Sequence, residues 1–174
     1  MKKLILTFTV LIFISCKSDK KEVQIVQNLG EAFGTTYHIQ YESKKDYHEQ
    51  FKEVFDAVNQ SLSTYIPDSD ISRINRGDTT VVVDANFIEV FHASKEIWQA
   101  TEGYFDPTVG PLVNAYGFGP NSALKGIDST QIDSIKQFVG FEKITLTSSQ
   151  QLLKNDPRTF IYFNAIAKGY AIDL

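Results

Sequence analysis

With 174 residues, 43% of them apolar, the chain has room for one domain and enough apolar side chains to give it a core. Its 17 basic and 21 acidic side chains leave a formal net charge of −4, so no nucleic acid partner is expected. A single cysteine, Cys16, excludes an intramolecular disulfide, and neither an internal repeat nor a low-complexity tract interrupts the sequence.

Lys2 and Lys3 precede an eleven-residue apolar run, Leu4 to Ile14, followed by Ser15 and Cys16. A membrane-spanning helix needs about twenty apolar residues, so the run reads as a secretion signal. A cysteine directly after such a run, with a small residue before it, resembles a bacterial lipoprotein processing site. The resemblance implies lipidation of Cys16, which would hold the protein at the membrane on the periplasmic side of the cell envelope. Residues 1–15 are therefore expected to be a lipoprotein signal peptide. Residues 16–28 would be the lipidated cysteine and a charged, solvated tether with KSDKKE at Lys17 to Glu22, and 29–174 the folded domain.

Thr35 to Tyr41 alternates Tyr37, Ile39 and Tyr41 with Thr36, His38 and Gln40, the period of a half-buried strand, with Phe33 and Gly34 leading into it and His38 facing solvent. Tyr47, Phe51, Val54, Phe55, Val58 and Leu62 recur at helical spacing and predict a helix over Asp46 to Leu62 whose apolar stripe is core, packed on a sheet. The block from Ser63 to Asn75 admits two readings. Tyr65 after the helix end can offer a ring face to a ligand and Arg73 a planar fork to a phosphate, or else Ser69 or Asp68 caps one helical turn and Arg73 lies in solvent. A turn at Arg76 to Thr79, a strand at Thr80 to Val83 and a helix opened by Asn86 and Glu89 as a capping-box pair follow, ending near Thr101; His92 has no assigned chemistry.

The stretch from Glu102 to Gly119 holds four glycines, two prolines and four aromatic residues around the carboxylate of Asp106. Pro107 and Pro111 push the residues before them out of the α region, so an irregular loop with free amides is expected, suited to a nucleotide-like ligand or else simply ordered under a small core. Gly117 and Gly119 do not open a dinucleotide fingerprint, since Ser122 stands where the third glycine belongs. Ile132, Ile135, Phe138 and Val139 mark a further helix from Ser129, closed by Gly140. Short strands are predicted at Lys143 to Thr147, Gln151 to Lys154 and Thr159 to Phe163, with a last helix capped by Asn164.

The wording GYFDPTVGPLVNAYGFG within that stretch resembles the signature loop of the ApbE family, the FAD:protein FMN transferases. Three more segments resemble the family in the same order: Phe33-Gly34-Thr35, the Ser63 to Asn75 block, and FNAIAKGYAID at Phe163 to Asp173. The resemblance implies an α+β fold with a mixed sheet and flanking helices, and Mg²⁺-dependent transfer of FMN from FAD to a Ser or Thr hydroxyl of an acceptor protein, with AMP released. It further implies that Phe33, Tyr65, Tyr104, Phe105, Asp106 and Lys168 contact the flavin dinucleotide, and that the backbone carbonyl of Ala165 contributes to a magnesium site. Thr108, Gly110, Asn114 and Gly117 match the pattern without an assigned role. One departure stands out: six residues before the lysine the family commonly has an FAD-contacting aspartate, and here the position is Tyr162, which is accordingly also expected among the cofactor-binding residues. No catalytic residue is assigned. The sequence stops at Leu174 about ten residues into the last helix, which implies a chain truncated to the first half of a family domain. A non-catalytic flavin-storing lipoprotein and an inactive truncated fragment are the alternatives.

Overall fold

The computed structural model describes residues 22–120 and 126–174. The expected signal, the expected lipidation site and most of the KSDKKE run lie outside them; among the described residues no helix is long and apolar enough to cross a membrane.

A hairpin opens the fold. Strand β1 (Gln24–Ala32) pairs antiparallel with β2 (Thr35–Ser43), in register from Gln24 opposite Ser43 to Ala32 opposite Thr35. The two-residue turn is Phe33-Gly34, both left-handed at φ 53° and 72°, the handedness that matches the twist of the flanking strands. β2 is the predicted strand. β1 corrects the tether boundary, because residues 24–28 belong to the sheet. Its buried face carries Val26 and Asn28 while Ile25 and Leu29 point to solvent, so the strand has no apolar alternation to read.

Helix α1 (His48–Leu62) begins two residues later than predicted, where Asp46 Oδ1 accepts from the His48 N–H at 2.8 Å. The same oxygen accepts from Asn28 Nδ2 at 3.0 Å and Tyr41 Oη at 3.2 Å, so one carboxylate ties both strands to the helix start. Only the C-terminal part of the stripe is core, at Val58 and Leu62. Tyr47 is exposed and Phe51, Val54 and Phe55 are half-buried, which corrects the reading of the whole stripe as core. Two strands cover one side of these rings and no more: Phe55 packs on Phe33 and Tyr37 with centroids 5.5 and 5.1 Å away, and Phe51 on Tyr41 at 5.6 Å.

Helix α2 (Asp70–Asn75) is capped by Ser69, whose Oγ accepts from the Ser72 N–H at 3.2 Å. The expected strand over 80–83 forms no ladder, and Thr80 lies in a turn. Val81 and Val83 are buried, and the Val83 N–H donates to the Gln150 carbonyl, while Gln151 Nε2 reaches the Thr79 carbonyl in place of a second backbone bond. Helix α3 (Ala85–Ala100) is capped by Asp84 instead of Asn86; Asp84 Oδ1 accepts from the Phe87 N–H at 2.9 Å and from Ser61 Oγ at 2.7 Å.

Within the glycine-rich stretch a helical segment corrects the expectation of wholly irregular backbone: α4 (Gly110–Ala115) starts with Gly110 and Pro111. Proline fits a first turn, where its missing N–H would have no partner, and Gly110 has no Cβ to meet the ring that follows. A Cβ at Gly110 would also stand 2.5 Å from the Phe160 carbonyl oxygen, so the close approach of the two segments requires glycine. Helix α5 (Ser129–Lys136) carries a reciprocal capping box between Asp128 and Gln131. A 3₁₀ turn (Phe141–Lys143) leads to β3 (Ile144–Leu146), antiparallel to β4 (Leu152–Lys154).

No ladder forms over 159–163 either. Phe160 makes a single parallel bridge to Val109, the Tyr162 N–H donates to the Pro107 carbonyl, and the Asn75 side chain both accepts from the Ile161 N–H and donates to its carbonyl. Lys154, its pKa pushed down by burial, donates to the carbonyls of Asn75, Pro157 and Thr159 and holds the same segment from the other side. The last helix, α6 (Asn164–Asp173), has Phe163 at its N-cap with no side-chain cap; Asn164, predicted as the cap, is its first helical residue.

The chain is thus α+β. Its core joins α1, α2, α3 and α6 around Phe87 and Phe163, both fully buried and in edge contact at 5.4 Å, with Ile71, Val83 and Ile161 beside them. Each such side chain contributes about 1.5–3 kcal/mol through removal from water.

Candidate functional site

Where α1 ends and α6 begins, the core opens into a cavity of about 690 Å³ lined by apolar Phe33, Val58, Leu62 and Ile66 and by polar Asn59, Ser63, Tyr65, Asn164 and Lys168. Lys168 is the one charged side chain in that lining, which contains no carboxylate. In a protein of net charge −4 this makes the cavity a local positive site. The first turn of α6 adds the dipole of a ten-residue helix on the same side. A second cavity of about 780 Å³ runs between β2, the aromatic face of α1 and the end of α6, and meets the first at Phe33 and Lys168.

Phe33 sits at a cost. Left-handed backbone disfavours a residue with a bulky side chain by about 1–2 kcal/mol, yet Phe33 occupies it at φ 53°. The turn aims its ring between the two cavities, braced by Phe55.

Of the residues expected to contact the flavin dinucleotide, three line the cavity together: Phe33 from the hairpin turn, Tyr65 from the connection after α1 and Lys168 from α6. Tyr162 joins them through Tyr65, the two hydroxyl oxygens being 3.0 Å apart, and Tyr65 Oη also donates to the Phe118 carbonyl at 3.3 Å. Burial, with Tyr65 adding to it, pushes the Tyr162 phenol up to about 12.

The signature loop itself stands differently. Tyr104 is 95% exposed, Phe105 is half-buried with its N–H on Thr101 Oγ1, and neither they nor Asp106 are among the cavity's lining residues. Asp106 is committed to internal bonds: Oδ1 accepts from the Thr108 N–H and Oγ1 at 2.7 and 2.6 Å, and Oδ2 from the Phe141 N–H at 3.0 Å. Thr108 Oγ1 accepts in turn from the Gly140 N–H at 2.6 Å. The carboxylate thus ties the loop to the turn before β3 with charge-assisted bonds. Arg73 is neither a free fork nor a solvent residue, because Nε and Nη2 both donate to Asp78 Oδ2, at 3.0 and 2.8 Å. Asp78 is held down to about 2, first by Thr80 and then by Arg73.

Ala165 lies in the first turn of α6, and its carbonyl is the only group this chain was expected to give a metal. Among the described residues no three His, Cys, Asp or Glu side chains gather into a metal-holding group. Asn59, Ser63 and Asn164 were missed by the sequence reading. Asn59 and Ser63, like Asn164 and Lys168, are four residues apart at neighbouring helix ends, so a search for polar pairs at that spacing would have found them.

A strained ring at a hairpin tip, a tyrosine after a helix end and a lysine near a helix start thus surround one cavity whose lining holds no carboxylate. The sequence profile of the ApbE family matches residues 33–174, and the chain belongs to that family. It is 33% identical to the FAD:protein FMN transferase of Haemophilus influenzae, over 99% of this chain and 54% of the relative, and 32% identical to that of Escherichia coli K12, over 94% and 51%. Among solved structures, the flavin transferase ApbE from Vibrio cholerae superposes with a TM-score of 0.80 at 29% identity, covering 87% of this chain and 52% of the other. The apo flavinyl transferase ApbE from Pseudomonas stutzeri gives 0.76 at 25% identity, over 87% and 50%. The chain therefore spans about half the length of the relatives it matches.

Proposed function

We propose that this chain forms the FAD-binding part of an FAD:protein FMN transferase. The observation that carries the reading is the convergence of Phe33, Tyr65 and Lys168, from three segments far apart in sequence, on one cavity with a cation and no carboxylate. Aromatic walls suit a flavin or adenine ring, and Lys168 with the α6 amides suits the pyrophosphate. In the proposed reaction a Ser or Thr hydroxyl of the acceptor protein forms a bond to the FMN phosphorus. The pyrophosphate bond to AMP breaks, AMP departs with the bridging oxygen, and the hydroxyl proton passes to solvent.

Magnesium dependence belongs to the same proposal, but the described residues do not by themselves fit a magnesium site. One helical carbonyl, at Ala165, is far short of the six oxygens the ion takes, so no step is routed through it. The proposal also places the protein on the periplasmic side of the envelope through a lipid on Cys16, which fatty-acid labelling lost in Cys16→Ser would support and labelling retained would refute.

Equilibrium titration of the chain with FAD, with and without Mg²⁺, followed by an assay for AMP release with an acceptor protein, tests the function. FAD binding that weakens at least tenfold in Lys168→Ala supports the site, on the basis that a charge-assisted bond contributes about 1.5–3 kcal/mol. Absence of FAD binding overturns it, and binding without AMP release under any Mg²⁺ condition replaces transfer with flavin storage.

A further inference from the structure

Three segments remote in sequence meet in one run of hydroxyls at the rim of the cavity. Tyr65 Oη donates to the Phe118 carbonyl and lies 3.0 Å from Tyr162 Oη. A phenol has one proton to give. With the Tyr65 proton on the carbonyl, Tyr162 is the donor between the two hydroxyls, and the bonds run in one direction, from Tyr162 to Tyr65 to Phe118.

The two tyrosines are held very differently. Tyr162 is fixed by its backbone, since its N–H donates to the Pro107 carbonyl at 2.7 Å and the residues on either side of it, Ile161 and Phe163, are fully buried. Tyr65 leaves the end of α1 on a connection and is 57% exposed. An exposed tyrosine at such a place has several rotamers open to it, and the hydroxyl bonds select one. The selected rotamer puts the ring in the cavity wall, which Phe33 and Asn164 also line.

We propose that Tyr162 is a positioning residue for ligand binding: by donating to Tyr65 it holds that ring as a preformed wall of the cavity and couples it, through the Phe118 carbonyl, to the signature loop. The inference rests on reading the cavity as the flavin site. Tyr162 acts through Tyr65 and need not touch the ligand. A wall ordered beforehand spares the ligand the cost of ordering it, so the hydroxyl of Tyr162 strengthens binding without adding a contact.

The test is a double-mutant cycle on FAD affinity with Tyr162→Phe and Tyr65→Phe, each of which keeps its ring and loses one hydroxyl. Phenol-carbon NMR of ¹³C-tyrosine-labelled chain reports the order and titration of each tyrosine. Tyr162→Phe is expected to weaken FAD binding by about three- to tenfold, the range of one neutral hydrogen bond. Tyr65→Phe should do the same, and the double variant should be no worse than the weaker single one, because both break one relay. In Tyr162→Phe the Tyr65 resonance should shift and broaden as rotamers open, a change that a hydroxyl serving stability alone would not cause at Tyr65. Wild-type affinity in Tyr162→Phe, multiplicative losses in the double variant, or an unchanged Tyr65 resonance each overturn the relay while leaving the flavin reading standing. If the unsubstituted chain binds no FAD, the flavin reading falls and this role with it, whatever the resonances show.

Discussion

Aromatic residues do opposite work in the two ends of this fold. Around α3 and α6, Phe87 and Phe163 are fully buried in the core. Along the hairpin and the first turns of α1, Tyr41 meets Phe51 edge to face and Tyr37 meets Phe55 at a tilt, yet all four stay half-buried, because a two-stranded sheet covers one side of them only. The cavity lies on the seam, with Val58 and Leu62 from the closed end and Phe33 from the open one. Identical ring chemistry thus becomes core or cavity wall according to whether a second layer arrives.

The comparison breaks most visibly at the rings themselves. Phe163→Ala should cost about 3–5 kcal/mol in urea unfolding, whereas Phe51→Ala should cost less than half as much, since much of its surface is already wet. Equal losses would mean the two ends are packed alike. A smaller effect, about 1–2 kcal/mol by the same measurement, is expected for Asp84→Ala, which removes the α3 cap and the partner of Ser61 within the closed end. Phe33→Gly sharpens the contrast by separating stability from binding. Relief of the left-handed strain offsets the lost contact with Phe55, so unfolding should shift by less than about 1 kcal/mol while FAD affinity falls at least fivefold. A large stability loss with intact affinity would make Phe33 a packing residue.

Acid should act last and on surface fastenings. Asp46 is held below the usual carboxylate range, chiefly by the His48 amide and Asn28, and Asp78 and Asp156 are held down to about 2 by Thr80 with Arg73 and by Arg158. A depressed folded pKa gives stability that is present above the unfolded value of 3.8 and is lost as pH falls toward about 2. Hydrogen-exchange protection factors in the hairpin should therefore fall below pH 4 before those of the α3 and α6 amides, and in Asp46→Asn that fall should already be partly present at neutral pH. Simultaneous loss at both ends would refute the separation.

How much of this was legible follows from which bonds make each element. α1, α3, α5 and the β3–β4 pair could be read because their apolar spacing is local, although the cap of α3 proved to be Asp84 and α1 has no side-chain cap. β1 could not, because its apolar Ile25 and Leu29 face water and its inward face offers Val26 beside Asn28 and Gly30. The segments at 80–83 and 159–163 have strand-like composition, but side chains of Gln151 and Asn75 take the ladder's place, and nothing in a sequence marks an asparagine 86 residues away as a partner. In the site, Phe33, Tyr65 and Lys168 were legible through motif wording. The internal engagement of Asp106 was not, since its distant partner Phe141 offers only a backbone amide.

That engagement closes a loop. Asp106 and Thr108 fasten the start of the excursion to Gly140 and Phe141 at its end, so the chain leaves and re-enters the body of the protein through one doorway. Closure entropy grows only with the logarithm of length, about 0.6 kcal/mol per doubling. Length within the excursion is therefore nearly free of consequence for the body of the protein: the two fastenings, Thr108 to Gly140 and Asp106 to Phe141, hold the doorway whatever the chain does between them.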